Sequence, residues 1–260
     1  MNHPSKSFYA SSVTNFLESN IEDIVGTLAT KVSLLHIGDE RQQIKSWEKQ
    51  ISILQTSISS LGISYDGWGI LLELQLLRLN RRIDCVLLVG EKILCIEFKI
   101  GSQNFLSSDV NQTVDYALCL RDFHSGSRNR TVFPVLCCDE ATIESPFKID
   151  LTALELVTAC IKTNSETLGN FISEIIYASS SNKEEQIDYR MFDASSYNPT
   201  PNIVNAARGI YAGHTVKEIG RSDASGESLQ KTSKLLSEIA NDAKIRKQHT
   251  ICFVTGDLNP

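Results

Sequence analysis

Arg82-Ile-Asp-Cys-Val-Leu-Leu-Val-Gly-Glu-Lys-Ile-Leu-Cys-Ile-Glu-Phe-Lys99 is the stretch on which the fold turns. Residues 83–89 and 93–98 are apolar and rich in Val, Ile and Leu, and Gly90-Glu91 separates them. Two such runs around a Gly-first pair predict two strands joined by a two-residue hairpin of type II′. In that hairpin Val89 faces Lys92, so facing residue numbers sum to 181. Asp84 and Glu97 obey the same sum, which sets two carboxylates opposite each other, roughly 5 Å apart at Cβ. Lys99, two residues after Glu97, projects from the same face, and Phe98 turns the other way toward a core. Facing like charges destabilise a half-buried sheet. A divalent cation between them would remove the conflict, because Mg²⁺ accepts one or two carboxylates and keeps waters for chemistry.

Upstream, Ile70-Leu-Leu-Glu-Leu-Gln-Leu-Leu alternates in part and predicts another strand. Leu72, Leu74 and Leu76 fall on one face, Glu73 and Gln75 on the other. An even-length loop would bring Glu73 to the face of Asp84, but the irregular turn at 78–82 leaves that register open. Arg78, Arg81 and Arg82 cluster there, as either a solvated turn or a local basic patch for a nucleic-acid backbone. Further upstream the chain reads as helical. Ile44, Trp47, Ile51, Ile53, Leu54 and Ile58 approach helical spacing, and Gly62 suits the C′ position. Downstream, a helix is expected over 109–122, with Ser108 or Asp109 as N-cap. Gln112 and Tyr116 are four apart and share a face of it. Thr131-Val-Phe-Pro-Val-Leu-Cys-Cys predicts a fourth strand, with Pro134 favouring a strand end or an edge. Two helices are expected at 150–163 and 165–178.

An Asp followed on the next strand by acidic-x-Lys resembles the signature of PD-(D/E)XK nucleases, here Asp84 and Glu97-Phe-Lys99. The family's usual Pro before the Asp is replaced by Ile83. Gln112-Thr-Val-Asp-Tyr116 resembles the Gln-xxx-Tyr pair that RecB-like members carry on the helix after the catalytic strand. The alternative is an exposed hairpin with ordinary surface charges, followed by a polar helix face. The resemblance implies an α/β fold with a restriction-endonuclease-like αβββαβ core, a helical N-terminal segment and a helical C-terminal extension. It implies that Asp84 and Glu97, with Glu73 as a third carboxylate, hold Mg²⁺ or Mn²⁺. Lys99 would serve the attacking water, and Gln112, Tyr116, Arg81 and Arg82 would bind substrate, DNA more than RNA. A non-cleaving module that delivers DNA to a helicase is the rival expectation.

Ser179-Ser-Ser-Asn-Lys-Glu-Glu-Gln reads as a linker, dividing the chain at 180/181. Beyond it, helices are expected at 203–212 and 227–246, and a strand at 251–255 that ends at Gly256. The segment from Tyr197 through Arg221-Ser-Asp-Ala to Ile251-Cys-Phe-Val-Thr-Gly resembles the linker of bacterial nuclease–helicases with a Schlafen-type superfamily 1 helicase domain. That implies an ATP-dependent helicase in cis or in trans, and a role in phage defence or DNA repair. The expected P-loop pattern, G-x-x-x-x-G-K-S/T after a strand, lacks its Gly-Lys pair here, so no ATP hydrolysis is expected through it.

Composition narrows the classes. Apolar residues make up 42% of 260 and charged residues 22%, ample for an α/β core. A net charge of −6 excludes a histone-like positive coat, though not a local basic groove. Seven cysteines with no CxxC spacing point to reduced, buried thiols and a cytoplasmic setting. No apolar run suits a signal peptide or a membrane span. His124 just past the 109–122 helix could reach substrate or simply complement the helix dipole. His36, His214 and His249 show no metal-ligand spacing, and without Gly-x-Ser-x-Gly acyl transfer has no support.

Overall fold

A computed structural model describes residues 6–35, 40–76, 81–143, 157–177, 186–197, 226–246, 248, 250 and 252. Among these it contains six strands and seven helices, a mixed α/β architecture. The chain divides into two compact units, Met1–Pro199 and Thr200–Pro260. Arg78, residues 179–185 of the serine-rich stretch, the helix expected at 203–212 and nearly all of the strand expected at 251–255 lie outside the described residues.

The first unit opens with β1 (Tyr9–Ser12), then α1 (Val13–Glu18), α2 (Ile21–Leu35) and α3 (Glu40–Ser59). The short first strand departs from the all-helical expectation for this region. Its Tyr-Ala-Ser-Ser has no apolar alternation to announce it, and it forms by antiparallel pairing with β2 (Gly69–Leu76). Ser12 then caps α1, its Oγ accepting from the Asn15 N–H at 3.3 Å. A meander follows: β2, β3 (Arg81–Val89) and β4 (Lys92–Lys99) pair antiparallel in order. Gly90 has φ of 62°, the left-handed value that the first position of a type II′ turn demands. The β3–β4 pairs run from Val89–Lys92 to Cys85–Ile96, all summing to 181 as expected.

Helix α4 (Ser107–Phe123) then carries the chain over to β5 (Val132–Cys138), which lies parallel to β4. A strand β6 (Ile161–Thr163) pairs parallel to β5, so the described end of the helix expected at 150–163 is extended instead. Only three residues alternate there, Ile161 and Thr163 buried around an exposed Lys162, too few for a period to show. Pro134 is not at the sheet edge, since β5 lies between β4 and β6. It sits one residue before the β6 ladder begins at Val135–Ile161. Helix α5 (Leu168–Tyr177) starts three residues later than expected, after a turn that the Asn164 side chain holds. Its Oδ1 accepts from Glu166 N at 3.0 Å and Thr167 N at 2.9 Å.

The sheet is buried on both faces, which explains why its strands read as near-continuous apolar runs. One core sets Leu72, Leu87, Ile96 and Val135 against Phe16, Leu28, Trp47, Leu54 and Ile172 of the flanking helices. The other sets Leu74, Val86, Leu88 and Cys95 against Tyr116, Ala117 and Leu120 of α4. Helix α6 (Tyr189–Ala194) closes this second core with Phe192, flanked by Ile187 and Tyr197. Residues 186–197 therefore pack into the first unit, although the sequence reading drew the boundary at 180/181. Asp193 ties them down by accepting from Lys6 N at 3.1 Å and Ser7 N at 2.8 Å. In the second unit, α7 (Gly226–Arg246) closely matches the helix expected at 227–246. Among the described residues no helix is long and apolar enough to cross a membrane.

Candidate functional site

Glu73, Asp84 and Glu97 form a row across β2, β3 and β4, at the far end of the hairpin from Gly90. The pairs Leu72–Cys85 and Leu74–Ile83 bracket Glu73 and Asp84, so the register left open in sequence sets these two opposite each other. The β3–β4 ladder stops at Cys85–Ile96, one step short of Asp84 and Glu97. There the Phe98 N–H donates to Asp84 Oδ2 at 2.8 Å. A side-chain carboxylate has replaced a main-chain carbonyl as the acceptor.

The same row marks a reversal of the pleat. Ile70 and Leu72 enter the first core, but Leu74 and Leu76 enter the second. On β3, Cys85 and Leu87 enter the first and Ile83 the second. The expectation that Leu72, Leu74 and Leu76 share a face is thus corrected. The cause is at Glu73, whose φ of 55° is left-handed, a conformation costing a non-glycine residue on the order of 1–3 kcal/mol.

Glu97, Lys99, Gln112 and Tyr116 meet in one hydrogen-bonded group. Lys99 Nζ lies 3.2 Å from Glu97 Oε1 and 3.2 Å from Gln112 Oε1. Gln112 Nε2 donates to Glu97 Oε1 at 2.7 Å and to the Tyr116 hydroxyl at 2.9 Å. Asp109, in the first turn of α4, stands 3.8 Å from Lys99 Nζ. The i, i+4 spacing aims Gln112 and Tyr116 at the sheet because Tyr116, Ala117 and Leu120 bury that side of α4. Arg81, exposed at the start of β3, also reaches the Tyr116 hydroxyl.

Glu73 is already partnered. Its Oε1 accepts from Trp47 Nε1 at 2.8 Å, and its Oε2 pairs with Arg82, whose guanidinium also lies 5.1 Å from the centre of the Phe8 ring. Trp47 is the residue the sequence reading passed over as ordinary core. The usable signal was its indole N–H, which needs an acceptor when buried, but nothing local says which one. Trp47→Phe should lower stability by about 1–3 kcal/mol, the cost of stripping a donor from a buried carboxylate. In a double-mutant cycle with Glu73→Ala, which removes the acceptor, the double mutant's loss should fall short of the sum of the two single losses. Full additivity in urea melts would mean the contact contributes nothing.

Electrostatics single out the row. Burial, then the charges of Glu97 and Glu73, raise the Asp84 carboxyl well above its ordinary range, against the opposing Phe98 N–H and Lys99. Burial also lifts Glu97 to about 7, despite the nearby charge and hydrogen bond of Lys99. For Lys99, burial pulls downward, but Glu97, Asp109 and Asp84 outweigh it and leave its pKa raised. Among the described residues no three His, Cys, Asp or Glu side chains form a ready-made metal shell. Asp84 and Glu97 are the two carboxylates that could hold a cation, and their surroundings fit one. Glu97 Oε2 is buried without a hydrogen-bond partner, and burial and neighbouring negative charge both disfavour ionisation of this pair.

His124 stands elsewhere. It is 1% exposed, its ring lies 4.3 Å from that of Phe192, and its Nδ1 pairs with Ser127 Oγ at 3.0 Å. Burial, then the Lys6 charge, lowers its pKa to about 4, against the Phe192 backbone carbonyl and the charge of Asp193. It is a neutral core side chain, so neither a substrate contact nor a charged helix end describes it. A pKa below the unfolded value means its contribution is full above about pH 6.5 and is lost as pH falls through 4. His124→Gln should flatten the pH dependence of unfolding free energy in that window by up to about 3 kcal/mol. Parallel wild-type and mutant curves from pH 7 to 4 would contradict this.

No protein-family model, curated protein or solved structure matches the chain.

Proposed function

We propose that this protein is a divalent-metal-dependent nuclease of the PD-(D/E)XK type, hydrolysing phosphodiester bonds in nucleic acid, DNA in preference to RNA. The observation that carries the proposal is the meeting of Glu97 and Lys99 with Gln112 and Tyr116, beside Asp84, at one end of a three-strand meander. The succession of helix, meander, helix and parallel strand supports the same reading.

Asp84 and Glu97, with the Phe98 carbonyl, would hold Mg²⁺ or Mn²⁺. When bound, the ion supplies Lewis-acid polarisation of the phosphate and a coordinated water of lowered pKa. Lys99 stands beside Glu97 as an ammonium, its pKa raised, where it orients the attacking water, whose proton passes to solvent, and offsets charge developing on the phosphate. Water oxygen bonds to phosphorus, the ester P–O bond breaks, and the departing oxygen takes a proton from solvent. Gln112 keeps Lys99 and Glu97 at their separation, and Tyr116 and Arg81 extend the polar wall toward the flanking phosphates. Glu73, with both oxygens engaged, holds Arg82 in place and supports the row rather than completing a ligand set. A cytoplasmic setting suits the seven free cysteines, and a helicase domain in cis or in trans, working in phage defence or DNA repair, suits the resemblance of residues 197–256.

The test is a digestion panel: plasmid, linear duplex, single-stranded DNA and RNA, each with Mg²⁺, Mn²⁺ or EDTA. Metal-dependent cutting that EDTA abolishes is expected. Binding of nucleic acid with no cutting in any arm would replace this reading with a non-cleaving delivery module.

A further inference from the structure

A cleft of ≈ 460 Å³ adjoins Lys99, and its far wall is helix α3. Gln42, Lys45 and Ser46 line that wall, spaced i, i+3 and i+4 and therefore on one helical face. Lys99, Ser102 and Asp109 stand opposite. The helix is anchored beside the acidic row through Trp47, whose neighbours Lys45 and Ser46 are thereby directed to the cleft. Lys45 and Gln42 are exposed, and among the described residues no ion pair holds Lys45. Asp109 lies 3.8 Å from Lys99, so Lys45 is the cleft's uncommitted cation.

From this wall we infer that α3 is the second jaw of the substrate channel and grips the backbone of a single nucleic-acid strand next to the bond that is cut. Resting on the nuclease reading, it names the substrate form that site takes. Lys45 neutralises one phosphate, and the Gln42 amide and Ser46 hydroxyl donate to phosphate or sugar oxygens, contacts that position without reading sequence. The cleft volume lies in the small-molecule range of about 300–1,000 Å³, and a short stretch of one strand fills it. The strand would be a free end or an unwound segment.

The experiment uses the full chain. Lys45→Ala should raise KM for a single-stranded oligonucleotide about three- to tenfold at nearly constant kcat, the signature of lost uniform binding. In EDTA, on the non-cutting Lys99→Ala background, adding Lys45→Ala should reduce the slope of log K against log salt by about 0.7, one phosphate's worth on a single strand. Lys45→Arg should restore both values. Lys31→Ala changes an exposed lysine of α2 outside the cleft and should alter neither. Equal effects from Lys45→Ala and Lys31→Ala would reduce the result to general charge and overturn the inference. So would an unchanged KM in a Lys45→Ala protein whose wild type cuts, with the nuclease reading intact. A blunt duplex bound as tightly as the single strand, and weakened as much by Lys45→Ala, would overturn the single-strand assignment. A wild type that neither binds nor cuts any nucleic acid would remove the nuclease reading, and this inference with it.

Discussion

Lys99→Ala should lower cleavage at least about a hundredfold, the low end for losing one positioned donor to developing charge, while metal and nucleic-acid binding stay largely intact. Both halves follow from the geometry. Lys99 Nζ is 3.2 Å from Glu97 Oε1, so its removal takes away a positive charge beside the reacting phosphate. Glu97 Oε1 keeps a second donor, Gln112 Nε2 at 2.7 Å, so the carboxylate stays oriented. Lys99→Arg is the sharper variant. Arginine keeps the charge, but its planar fork needs a different volume and cannot reproduce the contacts of a compact ammonium. Gln112 and Asp109 already crowd that position. Cutting by Lys99→Arg at near the wild-type rate would show that charge alone suffices there. Normal cutting by Lys99→Ala would make it a structural charge and remove it from the reaction.

Asp84→Asn should abolish Mn²⁺ binding in calorimetry and leave the metal-free protein at least as stable as wild type. An Asn side-chain oxygen can still accept from the Phe98 N–H, so the contact that ends the β3–β4 ladder survives. What disappears is one of the facing charges, and with it repulsion felt only without a cation. The two proteins should therefore respond differently to Mn²⁺. Wild type should gain stability with Mn²⁺, by about 2.7 kcal/mol at a hundredfold excess over Kd, while the mutant's melting point stays where it is. Equal Mn²⁺ shifts in both proteins, or none in either, would mean that Asp84 holds no ion.

Much of the sheet was legible beforehand. The hairpin could be read from Gly90-Glu91 and its flanking apolar runs, and α4 from its i, i+4 pairs; its expected caps, Ser108 and Asp109, lie inside the helix, which starts at Ser107 after Leu106 with no side-chain cap. These features are written in neighbours a few positions apart. The misses share a cause. Strand β1 has no alternation of its own, and β6 is three residues long; each forms because a partner strand is already there. Helix α6 was assigned to the extension because its place is set by Phe192 entering the second core and Asp193 reaching Lys6 and Ser7, nearly the whole length of the unit away in sequence.

By itself, the sequence determined the register that aligns Asp84 with Glu97, because a two-residue turn leaves paired strands no freedom to slip. It also determined that Lys99 follows Glu97 on the same side, and that Gln112 and Tyr116 share one helical face. Only the tertiary structure decided what these groups touch. The pleat reverses at Glu73 because a left-handed residue there turns Leu74 into the core opposite Leu72, and alternation counted along the strand cannot foresee it. Glu73 is taken by Trp47 from a helix 26 positions away, while Glu97 Oε2 is left buried and unpartnered. Burial and the approach of distant charges set these properties, and both exist only once the helices have closed over the sheet.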